Sequence, residues 1–309
     1  MNGTDGGAHG REPQEARQPH APRQPDGPRQ PDGQREPDAP HEPPFASGET
    51  GIVVGPRLTA KALAADLALD AAALARLEGP RLARAAAAAP PRRRVLVVGV
   101  ERSDRPNLMA RARAELLRSR HDVEVATCDV GGRGKFENLN ALIAAHGGAG
   151  GFDWLLAIDD DVELPRGFLD RFLFLAERFG LRLAQPAHRR RSHAAWRVTR
   201  RRATTVVRET GFVEIGPLSA FHADAFETLL PFPPLRAGWG LDAHWAALAR
   251  ERGWPIGVVD ATPIRHALRP IADDYRHADA TAEARAFLAA RPHVTAAEAQ
   301  RTLVAHRRW

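Results

Sequence analysis

Short runs rich in β-branched residues alternate with longer amphipathic stretches between residues 94 and 260. The first run, at 94–100, is apolar almost throughout, which is typical of a strand buried on both faces of a parallel sheet. Strands separated by helical stretches predict an α/β fold in which helices flank a mostly parallel, Rossmann-like central sheet. The predicted strands are 94–100, 123–127, 154–158, 181–184, 210–215 and 256–260, and the predicted helices of this region are 107–118, 136–145, 165–179 and 242–252.

Composition divides the chain into four segments. Residues 1–50 are rich in Pro, Gly, Gln and Arg and have almost no large apolar residue, so we expect a disordered N-terminal tail. Residues 51–91 carry leucines at helical spacing until Gly79 and Pro80 interrupt the pattern, which predicts a helical extension. The main α/β domain is predicted at 92–275, and a helical C-terminal tail at 276–309.

The formal net charge of +6 is weak evidence for a nucleic-acid partner, because the basic residues are scattered among 38 acids. The single cysteine, Cys128, rules out a disulfide framework within the chain and fits a cytoplasmic location. We expect no transmembrane segment, because no uncharged apolar run approaches membrane-spanning length. A peripheral contact with a membrane stays open.

Three consecutive carboxylates, Asp159, Asp160 and Asp161, follow the apolar run at 154–158. Carboxylates this close raise each other's pKa unless a cation or dense solvation compensates the charge, and a hard divalent metal ion is one such cation. A solvated acidic turn before the next helix explains the same residues, because acids favour helix N-termini. From the run alone, the two interpretations stay open.

Other polar groups also lie next to the ends of predicted elements. Asp129 follows the second strand, Asp242 opens a helix, and His266 lies just beyond the last strand. In an open α/β sheet the carboxyl ends of the strands converge on one crevice. We therefore expect these distant positions to share one site with the acidic run.

Three motifs, in this order and spacing, resemble those of the GT-A fold nucleotide-sugar glycosyltransferases, especially the family 2 type. The resemblance covers roughly 94–268 and implies that 92–275 is a GT-A-like catalytic domain with hexosyltransferase-like activity. A poorly characterised glycosyltransferase-like domain family of plants and bacteria is also similar, on the segments 211–215, 238–242, 258–260 and 264–266. The three motifs of the first resemblance are 134–140 (GKFENLN), 158–161 (IDDD) and 238–242 (GWGLD).

The resemblance implies a metal site in the acidic run. Asp159 and Asp161 would hold Mn2+ or Mg2+ at the donor diphosphate, and Asp159 would also lie near the ribose. The resemblance assigns no ligand role to Asp160. His266 corresponds to a histidine that completes the metal coordination in some members of the family. An ordinary surface or capping role explains His266 equally well, because the chain has 13 histidines.

The resemblance also assigns roles in substrate binding and catalysis. Asp242 would be the base that deprotonates an acceptor hydroxyl, and Trp239 would be a platform for the sugar. Lys135, Asn138 and Asp129 would contact the nucleotide sugar. Asp242 as a helix cap and Trp239 as a core residue are the structural alternatives. The segment between the second-strand acid and the lysine is shorter than in the family, which leaves the identity of the nucleotide open.

These patterns together predict a metal-dependent glycosyltransferase that moves a sugar from a nucleoside diphosphate sugar to an unidentified acceptor hydroxyl, with inversion. The arginine runs at 189–191 and 200–202 are predicted to form a solvated flap, or to help neutralise an anion. One alternative is a nucleic-acid-binding protein that uses these arginine clusters, although no recognition helix or aromatic RNA-binding motif is present. A non-catalytic, glycosyltransferase-like binding protein is the other alternative.

Overall fold

The computed structural model describes residues 55–88, 91–269 and 276–309. The tail predicted at 1–50 lies outside the described residues. The helices, in chain order, are α1 Pro56–Ala75, α2 Glu78–Ala88, α3 Met109–Leu116, α4 Lys135–Ala145, α5 Phe168–Arg178, α6 Phe226–Leu229, α7 Leu241–Glu251, α8 His277–Leu288 and α9 Ala296–Ala299. The strands are β1 Arg94–Val100, β2 Asp122–Cys128, β3 Trp154–Asp159, β4 Val162–Glu163, β5 Leu183–His188, β6 Val207–Thr210, β7 Leu218–His222, β8 Ile256–His266 and β9 Thr302–His306.

The main sheet of the described residues has the order β2-β1-β3-β7-β5-β8-β6-β9, and the short strand β4 pairs with the end of β8. The β2–β1, β1–β3 and β5–β8 pairings are parallel, and the other neighbours in the main sheet are antiparallel. Within that sheet only β7 and β6 run against the common direction. The predicted α/β fold with flanking helices is confirmed, and its sheet is mixed and only partly parallel.

The central strands are buried on both faces because helices cover both sides of the sheet. On one face Leu96 of β1 belongs to an apolar cluster with Phe136 of α4 and Trp245 of α7. On the other face Val97 belongs to a second cluster with Phe172 of α5. Successive residues of a strand point to opposite faces, so the continuous apolar run at 94–100 supplies both clusters.

Several elements differ from the sequence prediction. The strand predicted at 210–215 is β6, which ends at Thr210, and residues 211–217 form a turn that leads into β7. Strand β8 continues to His266 because it pairs with β5 and then with β4. The C-terminal segment contains the expected helix α8 but also β9, which pairs with β6. These strand bounds depend on pairing between distant segments, which local sequence periodicity does not predict.

The arginine runs are part of the folded structure. Asp66 of α1 is buried and accepts the backbone N–H groups of Arg190 and Arg191, at 2.7 and 3.1 Å. Asp70 of the same helix pairs with Arg189 and with the buried Arg201. The expectation of a solvated flap is therefore wrong for Arg189 and Arg201, whose side chains pair with Asp70, whereas Arg190 is exposed.

The helices in the described ranges include none that is both long enough and apolar enough to cross a membrane.

Candidate functional site

The carboxyl ends of β1, β2 and β3 meet at one edge of the sheet. In the parallel register Val100 pairs with both Cys128 and Asp159, so the residues that follow these strands lie at the same level. Strand β7 enters from this edge because Leu218 pairs antiparallel with Ile158. The antiparallel pairing of Val162 with His266 brings the end of β8 next to the acidic run.

Each carboxylate of the acidic run has a different partner. Asp159 forms an ion pair with Lys135, with 2.6 Å between Oδ1 and Nζ. Asp160 accepts the backbone N–H of Arg102 at 2.7 Å and pairs with the side chain of Arg269. Asp161 Oδ1 lies 2.9 Å from His266 Nε2. The three acids therefore do not form one uniform site.

Burial separates the three acids further. Asp160 and Asp161 are 3% and 1% exposed, whereas the Asp159 side chain is 29% exposed. Burial raises the pKa of Asp160 above its ordinary value despite the contact with Arg269. Burial also raises the pKa of Asp161, but its contacts with His266 and Arg269 outweigh burial and leave this pKa lowered. Asp159 is the member that faces solvent at the sheet edge.

The predicted metal ligands come together only in part. Asp161 and His266 are in direct contact, and the pKa of His266 is raised because this contact outweighs the effect of burial. Asp159 is paired with Lys135. Across 55–88, 91–269 and 276–309, no group of three or more His, Cys, Asp or Glu side chains is arranged to hold a metal ion. Lys135, His266 and Arg269 compensate the carboxylates, and metal binding stays a prediction.

The turn before β7 connects the acidic run with Asp242. The backbone N–H of Ile215 approaches the Asp242 carboxylate and lowers its pKa, and the Ile215 carbonyl accepts a hydrogen bond from Lys135 Nζ at 3.4 Å. The carbonyl of Pro217 accepts the N–H of Asp159 at 2.8 Å. A Cβ on Gly216 would lie 2.9 Å from Asp159 Oδ2 and 3.2 Å from Lys135 Nζ, so only glycine fits here without displacing that pair.

Asp242 is a buried carboxyl group in the first turn of α7. Its Oδ1 accepts the N–H of Ala243 at 2.9 Å. Burial, with a smaller contribution from the nearby charge of Glu214, raises the pKa of Asp242 to about 7. The residue that caps α7 is Gly240, so Asp242 is not the cap itself. A carboxyl group with a pKa near neutrality suits a general base that works at neutral pH.

Close backbone contacts join the start of α4 to the loop at 235–240. The N–H of Lys135 lies 3.4 Å from the carbonyl of Arg236. Gly238 has a φ of 79°, and a Cβ at this position would overlap the ring of Phe136. Trp239 follows directly and is partly exposed. The loop that leads to Asp242 therefore lies against the helix that carries Lys135.

Asn138 and Asp129 are engaged in contacts within the protein. Asn138 is buried and donates its side-chain amide to the carbonyl of Val130 at 2.9 Å. Asp129 is exposed, accepts the N–H of Val130 at 2.6 Å and contacts the hydroxyl of Ser103, a bond that lowers the Asp129 pKa. Asn138 therefore fixes the backbone at Val130, in the loop between β2 and α4, and donor binding by either residue stays a prediction.

Glu214 is a buried residue that the sequence assigned only to a strand. Its Oε1 accepts the N–H of Ala195 at 3.0 Å, and its Oε2 lies 3.3 Å from Nε2 of the fully buried His188. Its own N–H donates to Gln185 at 2.6 Å. These contacts fix the residue before Ile215. The acid within the segment 211–215 was the only signal in the sequence.

No protein-family model matches the sequence, and no curated protein matches it. Among solved structures, the chain is similar to the crystal structure of A197 from STIV, with a TM-score of 0.36 and 9% sequence identity. The matched region covers 60% of this chain and 99% of that chain. A similarity of this size assigns no function, so the function must be argued from the residues of the site.

Proposed function

We propose that the chain is a GT-A-like glycosyltransferase that moves a sugar from a nucleoside diphosphate sugar to an acceptor hydroxyl, with inversion at the anomeric carbon. The observation that carries the proposal is the position of Ile215. Its N–H approaches the carboxylate of Asp242, and its carbonyl contacts Lys135, which pairs with Asp159. One residue thus lies between a base with a pKa near 7 and a cation suited to bind phosphate.

Asp242 would take the proton from the acceptor hydroxyl while the hydroxyl oxygen bonds to the anomeric carbon. The bond from that carbon to the diphosphate oxygen breaks in the same step, and its electron pair remains on the diphosphate. Attack from the face opposite the leaving group inverts the anomeric carbon. With a pKa of about 7, a large share of Asp242 is ionised at neutral pH and ready to accept the proton.

Lys135 would neutralise charge that develops on the departing diphosphate, in exchange for part of its contact with Asp159. Asp159, Asp161 and His266 would hold Mn2+ or Mg2+; their oxygen and nitrogen donors suit such an ion in type, and the ion would replace the positive charge that Lys135 and His266 supply to these carboxylates. When bound, the ion supplies further positive charge to the diphosphate. Trp239 would stack on the sugar, and Asp129 and Asn138 would line the nucleoside side.

A thermal-shift panel of nucleoside diphosphates, with Mn2+, Mg2+ or a chelator, tests this proposal. We expect one nucleotide to raise the melting temperature in the presence of metal, by an amount set by its concentration relative to its dissociation constant. Asp161→Asn should remove the metal-dependent part, whereas Lys135→Ala should weaken nucleotide binding with or without metal. The absence of a shift with every nucleotide would overturn the proposal.

The alternatives give different results in the same experiments. A nucleic-acid-binding protein would bind DNA or RNA with a steep salt dependence that survives Asp161→Asn. A non-catalytic binding protein would bind the nucleotide sugar but neither transfer nor hydrolyse it. The internal bonds of Arg189 and Arg201 to Asp70 remove part of the cationic surface that nucleic-acid binding would need.

A further inference from the structure

The carboxylate of Glu283, in α8, accepts hydrogen bonds from three consecutive backbone N–H groups. The donors are Arg236 at 2.7 Å, Ala237 at 2.9 Å and Gly238 at 3.2 Å. These residues lie more than forty positions earlier in the chain. Bonds from backbone N–H groups to an ionised carboxylate are shorter and stronger than neutral ones. A single side chain of the C-terminal segment therefore fixes the backbone of this loop.

The loop held by Glu283 leads directly to the proposed catalytic base. Gly238 precedes Trp239, and its carbonyl accepts the N–H of Leu241, the first residue of α7, at 3.2 Å. Asp242 is the next residue. The opposite side of the loop lies against α4, where the ring of Phe136 leaves no room for a side chain at position 238. The loop is therefore held between α4 and Glu283.

The segment that carries Glu283 also contacts α7 itself. The N–H of Val294 donates to the carbonyl of Ala243 at 3.1 Å. His244 Nδ1 lies 2.7 Å from the carbonyl of Pro292, and the rings of His244 and Phe287 are in edge-to-face contact at 5.5 Å. The C-terminal segment thus contacts the residues that follow Asp242 in the chain, and through Glu283 it also contacts residues 236–238, which precede it.

We propose that Glu283 is a positioning residue of the transferase, which holds the loop at 236–240 so that Trp239 and Asp242 keep their places at the sheet edge. Its catalytic consequence rests on the proposed function, whereas its hold on the loop does not. Among the described residues, the hydrogen bonds of the Glu283 carboxylate go to the backbone of residues 236–238. Gln at this position has the same length but offers one acceptor oxygen, and its amide N–H groups would face the backbone donors.

Hydrogen exchange of the wild-type protein and the Glu283→Gln variant tests the proposal without requiring activity. We expect amides 236–238, and Leu241 beyond them, to exchange roughly ten times faster or more in the variant, because the loop opens more often. Asp279→Asn is the matched control, since Asp279 is an exposed acid of the same helix. Glu283→Asp keeps the charge on a shorter side chain, so its exchange rates should lie between those of the wild type and those of Glu283→Gln.

Kinetics then test the catalytic part. For the donor that the nucleotide panel identifies, Glu283→Gln should lower kcat roughly 10- to 100-fold and change KM for the donor little, since Lys135 and Asp159 remain in place. Unchanged exchange at 236–241 in Glu283→Gln overturns the proposal, whatever the activity. Faster exchange with unchanged kcat overturns the positioning role in catalysis. If the wild-type protein neither binds nor turns over any nucleotide sugar, the proposed function fails, and the exchange data still decide whether Glu283 holds the loop.

Discussion

The buried carboxyl group of Asp242 should make the stability of the protein depend on pH in a defined way. Its pKa is raised from 3.8 to about 7, mainly by burial. Between these two values the folded protein keeps a proton that the unfolded chain has released. The contribution of Asp242 to the free energy of unfolding therefore falls as the pH rises through this window. At about 1.36 kcal/mol per pKa unit, the full change is about 4 kcal/mol.

Asp242→Asn removes this dependence, because the amide is neutral at every pH. The stability of the variant relative to the wild type should increase by about 4 kcal/mol between pH 4 and pH 8. The amide of the variant also replaces one acceptor oxygen by a donor, but the cost of this change is the same at each pH and does not affect the difference.

Urea unfolding followed by far-UV circular dichroism, at one-unit intervals from pH 4 to pH 8, measures this difference. Asp122→Asn is the matched control, because Asp122 is exposed at the start of β2, and its stability relative to the wild type should stay constant within about 0.5 kcal/mol. A relative stability of Asp242→Asn that is equally flat over this range would falsify the raised pKa. The general-base role of Asp242 would then lose its physical basis.

Two further substitutions test the geometry around the site and its scaffold. Gly216→Ala should weaken nucleotide binding roughly tenfold or more with unchanged circular dichroism, because its Cβ would lie 2.9 Å from Asp159 Oδ2. Gly132→Ala is the control, because a Cβ at this position meets no atom within 4 Å. Equal nucleotide-binding curves for the two variants would contradict the prediction. Arg208→Leu should destabilise the protein by roughly 3–5 kcal/mol, because it removes the fully buried ion pair of Arg208 with Asp260 at 2.7 Å. A loss below about 1 kcal/mol in urea unfolding would contradict this prediction and would show that the Arg202 N–H and the Thr205 hydroxyl, which also donate to Asp260, compensate.

Local sequence patterns were sufficient for the elements whose signal lies within one segment. The apolar runs of β1 and β3 and the periodic helices α4 and α7 occur within one or two residues of their predicted bounds. Strand β7 was missed because its five residues follow a turn that contains Gly216 and Pro217, and their burial comes from pairing with β3 and β5. Strand β9 is also missing from the prediction, since it exists through its pairing with β6, about a hundred residues earlier.

In the candidate site, too, residues with a local signal were predictable and contacts between distant segments were not. Motif and strand-end position select Lys135, Asp159 and Asp242, and the structure places Ile215 between the Lys135–Asp159 pair and Asp242. The partners of the acids were not predictable, because Lys135 reaches Asp159 only once α4 and β3 meet at the sheet edge. Glu283 left no local signal at all, since its three partners are backbone N–H groups of a distant loop.

Release of nucleoside diphosphate from a panel of nucleotide sugars, with water as the acceptor, tests the central claim most directly when wild-type protein and Asp242→Asn are compared. The account predicts that the wild type cleaves one donor. The variant should bind the nucleoside diphosphate equally well, but its rate of donor cleavage should be lower by roughly 100-fold or more. Full turnover by Asp242→Asn, or no cleavage of any donor by the wild type, would contradict the account.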